Sequence, residues 1–159
     1  MTDAAGHPDR SRDVTLTPLD LIAKLGVFDF DPCGYPGHAT ARHVVTLPTD
    51  GLREKWVGRV WLNPPYSDPT PWLEKLADHG NGIAMVLAST DTAWFQDFVA
   101  PFAVSVLFLR GRPRFQRPDG SRVGLMRASC FAAYGARNAA HLRASGMAGW
   151  LATTMKGTP

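Results

Sequence analysis

The chain has 159 residues, of which 45% are hydrophobic and 19% charged, with a formal net charge of +3. That length suits one domain with a real core and leaves no room for a catalytic fold plus a separate recognition domain. The charge permits a polyanionic partner without demanding one; no apolar run approaches the roughly 20 residues of a membrane span, and the polar start at 1–13 lacks a signal-peptide core.

Residues 1–14, rich in Asp, Arg, Gly and Pro, read as a flexible arm ahead of a single domain over 15–159. Thr17-Pro18 opens a helix: Thr17 is a suitable N-cap, Pro18 fits the first helical position, and Leu19, Ile22 and Leu25 recur at helical spacing until Gly26. Val27 to Phe30 is an alternating strand that runs into Asp31-Pro32-Cys33-Gly34. A carboxylate, a proline and a glycine at a strand end suit a loop wrapped round a small ligand, and they equally suit a tight surface turn.

Residues 35–49 leave too little chain for a helix and a second full strand, since a parallel crossover by itself needs about a dozen residues. The expectation is a loop and one short strand at His43 to Thr46. Cys33, His38 and His43 offer three soft ligands without a fourth, which matches no common structural zinc pattern, so no metal is expected. Cys33 and Cys130 lie too far apart in sequence to form a disulfide framework, which fits an intracellular, reducing setting.

Asp50-Gly51-Leu52 is a turn by composition. Val60-Trp61-Leu62 is then a short apolar strand that meets Asn63-Pro64-Pro65-Tyr66. Two successive prolines fix φ and remove two backbone donors, so the strand stops at Asn63. The turn holds a carboxamide and an aromatic ring at the carboxyl end of a strand, where open α/β sheets place their ligands. Such a pair suits an exocyclic NH2 group: the Asn63 oxygen and a proline carbonyl accept its hydrogens while Tyr66 stacks on the ring that carries it. An ordinary strand-ending loop is the plainer alternative.

Pro71 starts a helix that ends near Gly80, and Gly82 to Ala88 is a buried strand by its unbroken apolar run. A helix over Thr92–Val99 follows, then strands over Val104–Leu109 and Ala128–Tyr134; Trp72, Trp94 and Phe95 are expected in the core. Strands and helices alternating at these lengths predict an α/β fold with a parallel-rich sheet. Six arginines lie between 110 and 127, with Asp119 as the one counter-charge. Arg110, Arg112, Arg114, Arg117 and Arg122 are the candidate phosphate contacts, on an expected long irregular loop; Arg112 alternatively braces the fold.

Thr17-Pro18, Phe28-Asp29-Phe30-Asp31-Pro32, Asp50-Gly51-Leu52, Trp61-x-Asn63-Pro64-Pro65-Tyr66 and Phe108-x-x-Gly111-Arg112-x-x-Phe115 together resemble the phage-type DNA N6-adenine methyltransferases. These are small S-adenosylmethionine-dependent enzymes, often prophage-encoded, and the similarity covers about residues 15–134. The resemblance implies a Rossmann-like S-adenosylmethionine methyltransferase sheet, here reduced in the cofactor half. It implies catalysis by Asn63, Pro64, Pro65 and Tyr66 on a flipped adenine in DNA. For the cofactor it implies Thr17 and Pro18 at the methionine end, the Asp31-Pro32-Cys33-Gly34 loop, and Asp50 with Leu52 at the adenine. Asp29 or Asp31 is left to supply the ribose contact, because residues 35–49 are short. In that loop the glycine comes one residue earlier than in the Asp/Glu-Pro-x-x-Gly form of the motif. The setting implied is the cytoplasm of a bacterial or phage-infected host, with DNA as partner and neither a membrane nor an obligate protein partner. The same tetrapeptide occurs in enzymes that methylate cytosine N4 or glutamine, so RNA and protein substrates, and an inactive DNA-binding module, stay open.

Overall fold

Two strands, β4 (Gly82–Leu87) and β8 (Ser129–Tyr134), are buried almost throughout and pair antiparallel over their full length, Gly82 against Tyr134 and Leu87 against Ser129. They form the middle of the sheet seen in a computed structural model, which describes residues 14–124 and 127–153. The residues assigned to a flexible arm lie, up to 13, outside the described ones.

On one side of this pair stand β3 (Val60–Leu62), β1 (Phe30–Asp31) and β2 (His43–Val44), and on the other β5 (Ser105–Leu109) and β9 (Gly149–Thr153). The order across the seven-stranded sheet is β2-β1-β3-β4-β8-β5-β9. The β1–β2, β1–β3 and β3–β4 pairs are parallel, whereas β4–β8, β8–β5 and β5–β9 are antiparallel. Two reversals bring β5 back into line with β4, so only β8 and β9 run against the rest. The carboxyl ends of β1, β3, β4 and β5 therefore share one edge. The expectation of a mixed α/β fold with most strands parallel holds.

Strand side chains alternate between two apolar layers. Val60, Leu62, Ala84 and Val86 face helix α2 (Thr70–His79), which contributes Trp72, Leu73 and Leu76, and a π-helical turn (Phe95–Val99), which contributes Phe95 and Val99. Trp61, Ile83 and Met85 face the other way, onto α1 (Leu19–Lys24) through Ile22 and Leu25 and onto α3 (Ala136–Ala144) through Ala139 and Leu142. Trp72 and Phe95 are thus core residues, and Trp94 is half-buried against the first layer. Gly80 ends α2 in the left-handed conformation, with φ of 68°. That is the stop the sequence indicates.

β1 and β2 are joined by residues 32–42 without a helix, and each is two residues long. The expected loop with one short strand is what this stretch forms. Three local expectations change. Thr17 does not cap α1: the cap position is Pro18, with no side-chain hydrogen bond, because the Thr17 hydroxyl is used elsewhere. The helix expected over Thr92–Val99 forms, but its main part, Phe95–Val99, is π-helical. The expected irregular loop is a β-hairpin, β6 (Arg114–Gln116) paired with β7 (Arg122–Gly124). Phe115 is fully buried in the second apolar layer, and this anchors one face of the hairpin. Among the described residues no helix is long and apolar enough to cross a membrane.

Candidate active site

Asn63 follows β3 directly, so its carboxamide lies at the shared carboxyl edge. Its nitrogen donates to the Thr15 carbonyl at 2.9 Å and to the Thr17 hydroxyl oxygen at 3.3 Å. A backbone carbonyl only accepts, so this contact identifies the side of the amide that carries NH2. The opposite atom, Oδ1, is buried and has no hydrogen-bond partner. An unfilled buried acceptor costs about 1–3 kcal/mol, so it favours a donor supplied from outside the chain. Next to it, Pro64 is buried. The Pro65 carbonyl accepts the Asp68 N–H at 3.3 Å, so of the two proline carbonyls it is Pro64's that suits a substrate donor.

Tyr66 completes the turn. Its hydroxyl is buried beside the Thr15 side chain. Burial pushes the phenol up to about 12, against a smaller downward pull from the neighbouring Thr15 side chain, so Tyr66 is neutral at physiological pH. A neutral aromatic ring is a stacking surface and not a base.

The remaining expected residues fall into three groups. The first is at the site itself: Thr17 is buried against Asn63 and donates its hydroxyl proton towards Met85 Sδ at 3.8 Å. Pro18 starts α1, but six residues make too short a helix to present an anion site of its own.

The second group lines the same edge one strand away. Asp31 is buried, its Oδ1 accepting the Cys33 N–H at 2.9 Å and its Oδ2 the Thr40 hydroxyl. Burial pushes its carboxyl up to about 6, with both hydrogen bonds pulling the other way. It therefore braces the Pro32–Thr40 loop from within. Gly34 makes room for the neighbouring strand: a Cβ there would lie 2.0 Å from Val44 Cγ1. Gly51 packs so closely on this loop that a Cβ would stand 1.8 Å from the Pro32 carbonyl oxygen. The Asp50-Gly51-Leu52 turn is thereby pressed against Pro32. Asp50 closes the turn by accepting the Leu52 N–H at 3.0 Å, while its other oxygen lies 3.6 Å from Arg53 at an exposed position. Lys75 Nζ fixes the Leu52 carbonyl at 2.6 Å, and Trp56 Nε1 the Gly51 carbonyl at 2.8 Å.

The third group is placed elsewhere. Asp29 precedes β1 at the amino end, where its oxygens accept from Arg42 at 3.2 Å and from the Arg59 N–H at 2.9 Å. His38 and His43, weighed as metal ligands, are also occupied: His38 Nε2 lies 2.9 Å from the Thr17 carbonyl, and His43 stacks on Phe30. No group of three metal-ligating side chains forms among the described residues.

Arg110, Arg112, Arg114, Arg117 and Arg122 are all exposed, Arg112 included, which removes the bracing role considered for it. Because β5 ends at the same edge as β3, the basic hairpin rises beside the Asn63 turn. Its register pairs Arg114 with Gly124 and Gln116 with Arg122. With Phe115 turned inward, Arg114, Gln116 and Arg122 occupy the outer face. A chain segment joins hairpin and site: Leu16 and Gln116 exchange backbone hydrogen bonds of 2.8 and 3.2 Å.

Sequence reasoning missed Thr15, Thr40 and Met85, whose contributions are a carbonyl, a hydroxyl and a sulfur supplied from distant segments. The hairpin did leave a signal, since Arg117-Pro118-Asp119-Gly120 is a turn sequence; Gly120 has φ of 81° and the Arg117 N–H reaches the Ser121 carbonyl at 2.8 Å.

A strand-end carboxamide whose oxygen has no hydrogen-bond partner, a neutral ring beside it and a basic hairpin thus stand at one edge of the sheet. The chain belongs to the DNA N-6-adenine-methyltransferase (Dam) family, whose profile matches residues 5–132. It is 36% identical to the DNA N-6-adenine-methyltransferase of Escherichia phage T1 over a stretch that covers 57% of this chain and 42% of that protein. The chain thus spans less than half the length of that curated relative. No solved structure matches it.

Proposed function

We propose that this chain transfers a methyl group from S-adenosylmethionine to N6 of an adenine in DNA, the base being turned out of the duplex to reach the Asn63 turn. The observation that carries the reading is Asn63 Oδ1, a buried acceptor without a partner whose amide nitrogen is already held. Adenine N6 is an NH2 donor that this acceptor suits. The sheet is read as a Rossmann-like methyltransferase sheet with a shrunken cofactor half, and residues 15–159 as one catalytic unit.

Asn63 Oδ1 and the Pro64 carbonyl accept from the two N6 hydrogens. Both bonds favour a pyramidal nitrogen with its lone pair directed away from the ring, which is the nucleophilic form; the methylated nitrogen then loses one proton to solvent, so no side chain need act as a base. Tyr66 stacks on the extruded base and offsets part of the few kcal/mol lost on unstacking it. S-adenosylmethionine, when bound, supplies the methyl group as an electrophile on a positively charged sulfur. The residues that would hold it are Pro18, the Asp31-Pro32-Cys33 loop, and Asp50 with Leu52, which Gly51 packs against that loop. Holding both reactants in line supplies much of the rate. Asp29, engaged by Arg42 and Arg59, is not assigned to the ribose. Arg110, Arg112, Arg114, Arg117 and Arg122 contact the DNA backbone.

The test is transfer of labelled methyl to unmethylated plasmid DNA with nucleoside analysis of the product. N6-methyladenine is the expected result. Label that appears in N4-methylcytosine, in RNA or on protein glutamine would replace the substrate assignment, and cofactor binding without transfer to any of them would overturn the catalytic reading.

A further inference from the structure

The rotation of an amide side chain about its last torsion is soft, so an asparagine that must present oxygen in one direction needs something to hold it. At Asn63 the holding groups come from one short stretch. Thr15 offers its carbonyl at 2.9 Å and Thr17 its hydroxyl oxygen at 3.3 Å, one for each hydrogen on Nδ2. The direction of the Thr17 hydroxyl is set in turn. Its proton points to Met85 Sδ at 3.8 Å, which leaves oxygen lone pairs for Asn63. If the amide turned over, Oδ1 would face the Thr15 carbonyl with no proton between them.

The stretch is itself fixed at both sides of Asn63. Leu16 is bonded to Gln116 of the hairpin, and the Thr17 carbonyl receives His38 Nε2 at 2.9 Å. Thr17 lies outside α1 and is nevertheless only 2% exposed.

We propose that Thr17 is a positioning residue: its hydroxyl, with the Thr15 carbonyl, fixes the Asn63 carboxamide with Oδ1 towards the substrate amino group. This rests on the reading of Asn63 given above. It differs from a role at the methionine end of the cofactor, which would act on binding and not on the chemical step.

Steady-state kinetics of Thr17→Val and Thr17→Ser on plasmid DNA separate the two. Valine keeps the shape and removes the acceptor, and the worth of one hydrogen bond predicts a fall in kcat of roughly 3- to 10-fold. The KM for S-adenosylmethionine and for DNA should stay unchanged, and serine should restore kcat. A raised cofactor KM with kcat intact, or a valine variant equal to the natural protein, would overturn the proposal. Should the valine variant melt early, Thr17→Ala against Thr17→Ser carries the same comparison.

A second readout needs no activity. The Asn63 side-chain NH2 resonances, assigned by their loss in Asn63→Asp, should exchange slowly with solvent in the natural protein and faster in Thr17→Val. Rapid exchange in the natural protein would refute the fixed amide. If the natural protein methylated nothing while these protons stayed protected, the function would be wrong and the clamp right.

Discussion

Two asparagines at opposite edges of the sheet, Asn138 buried and Asn63 half-buried, make opposite use of one side chain. Asn138, at the amino edge, is saturated: Oδ1 accepts from Arg59 Nε at 2.6 Å, and Nδ2 donates to Asn81 Oδ1 at 2.8 Å and to the Tyr134 carbonyl at 2.7 Å. Arg59 completes the knot by donating to the Leu25 and Val27 carbonyls and by lying 4.2 Å over the Phe28 ring. Burial, with Arg137 nearby, lowers its guanidinium to about 10, so it stays charged at neutral pH. Asn63, at the carboxyl edge, is saturated on nitrogen and empty on oxygen. A network whose members are all satisfied joins strands to helices, whereas a half-satisfied one has an acceptor free for another group.

The comparison can be broken most sharply at Asn63 itself. Asn63→Ala should lower methyl transfer by about 10²–10³-fold, the scale for losing one preorganised polar contact at the reacting centre. The melting temperature should fall less than in the Asn138 variant below, because only the Nδ2 bonds to the Thr15 carbonyl and the Thr17 hydroxyl are lost and no buried charge is stranded. Rate assays paired with thermal melts check this, and a variant that unfolds early with undiminished kcat would reverse the roles of the two asparagines.

Asn138→Ala is the mirror experiment. It strands the buried Arg59 Nε and removes two further bonds, so unfolding free energy should fall by roughly 2–3 kcal/mol, read from urea denaturation. Transfer by the remaining folded protein should keep its KM and kcat.

The hairpin sharpens the contrast from outside. Arg114→Ala and Arg122→Ala remove exposed charges from its outer face. Each should reduce the salt slope of duplex binding by about 1 and weaken all sequences alike if its contact is a phosphate. Binding isotherms at several salt concentrations read the slope, and a loss confined to one sequence would assign that arginine to base readout.

The smallest effect concerns Asp31. Its carboxyl titrates at about 6 in the folded chain against 3.8 unfolded, so the folded state holds the proton more tightly between those values. Its contribution to stability is therefore full below pH 3.8 and is lost as pH rises through about 6. Asn can keep both hydrogen bonds, with Thr40 accepting in place of donating. Asp31→Asn should thus remove that slope from a melting-temperature profile between pH 4 and 7; an unchanged difference between variant and natural protein would show that Asp31 ionises normally.

Whatever rests on neighbours in the chain was legible from the residues. Two prolines stop β3 after Leu62 wherever that strand is placed, and so put Asn63 at its end. The unbroken apolar runs of β4 and β8 require burial on both faces, and Pro71 and Gly80 bound α2 through their own backbone preferences. Composition also foretold the poverty of residues 35–49. Contacts between distant segments were not legible. Thr17 was locally a good helix cap, but β3 and β4 bring Asn63 and Met85 to its hydroxyl from 46 and 68 residues away. Asp31 is turned inward by Thr40, Gly34 is closed by Val44, and Arg59 meets Asn138 across 79 residues of chain. A donor takes the acceptor that packing delivers, and only the assembled sheet decides which acceptor that is, and which one, at Asn63, is left without a partner.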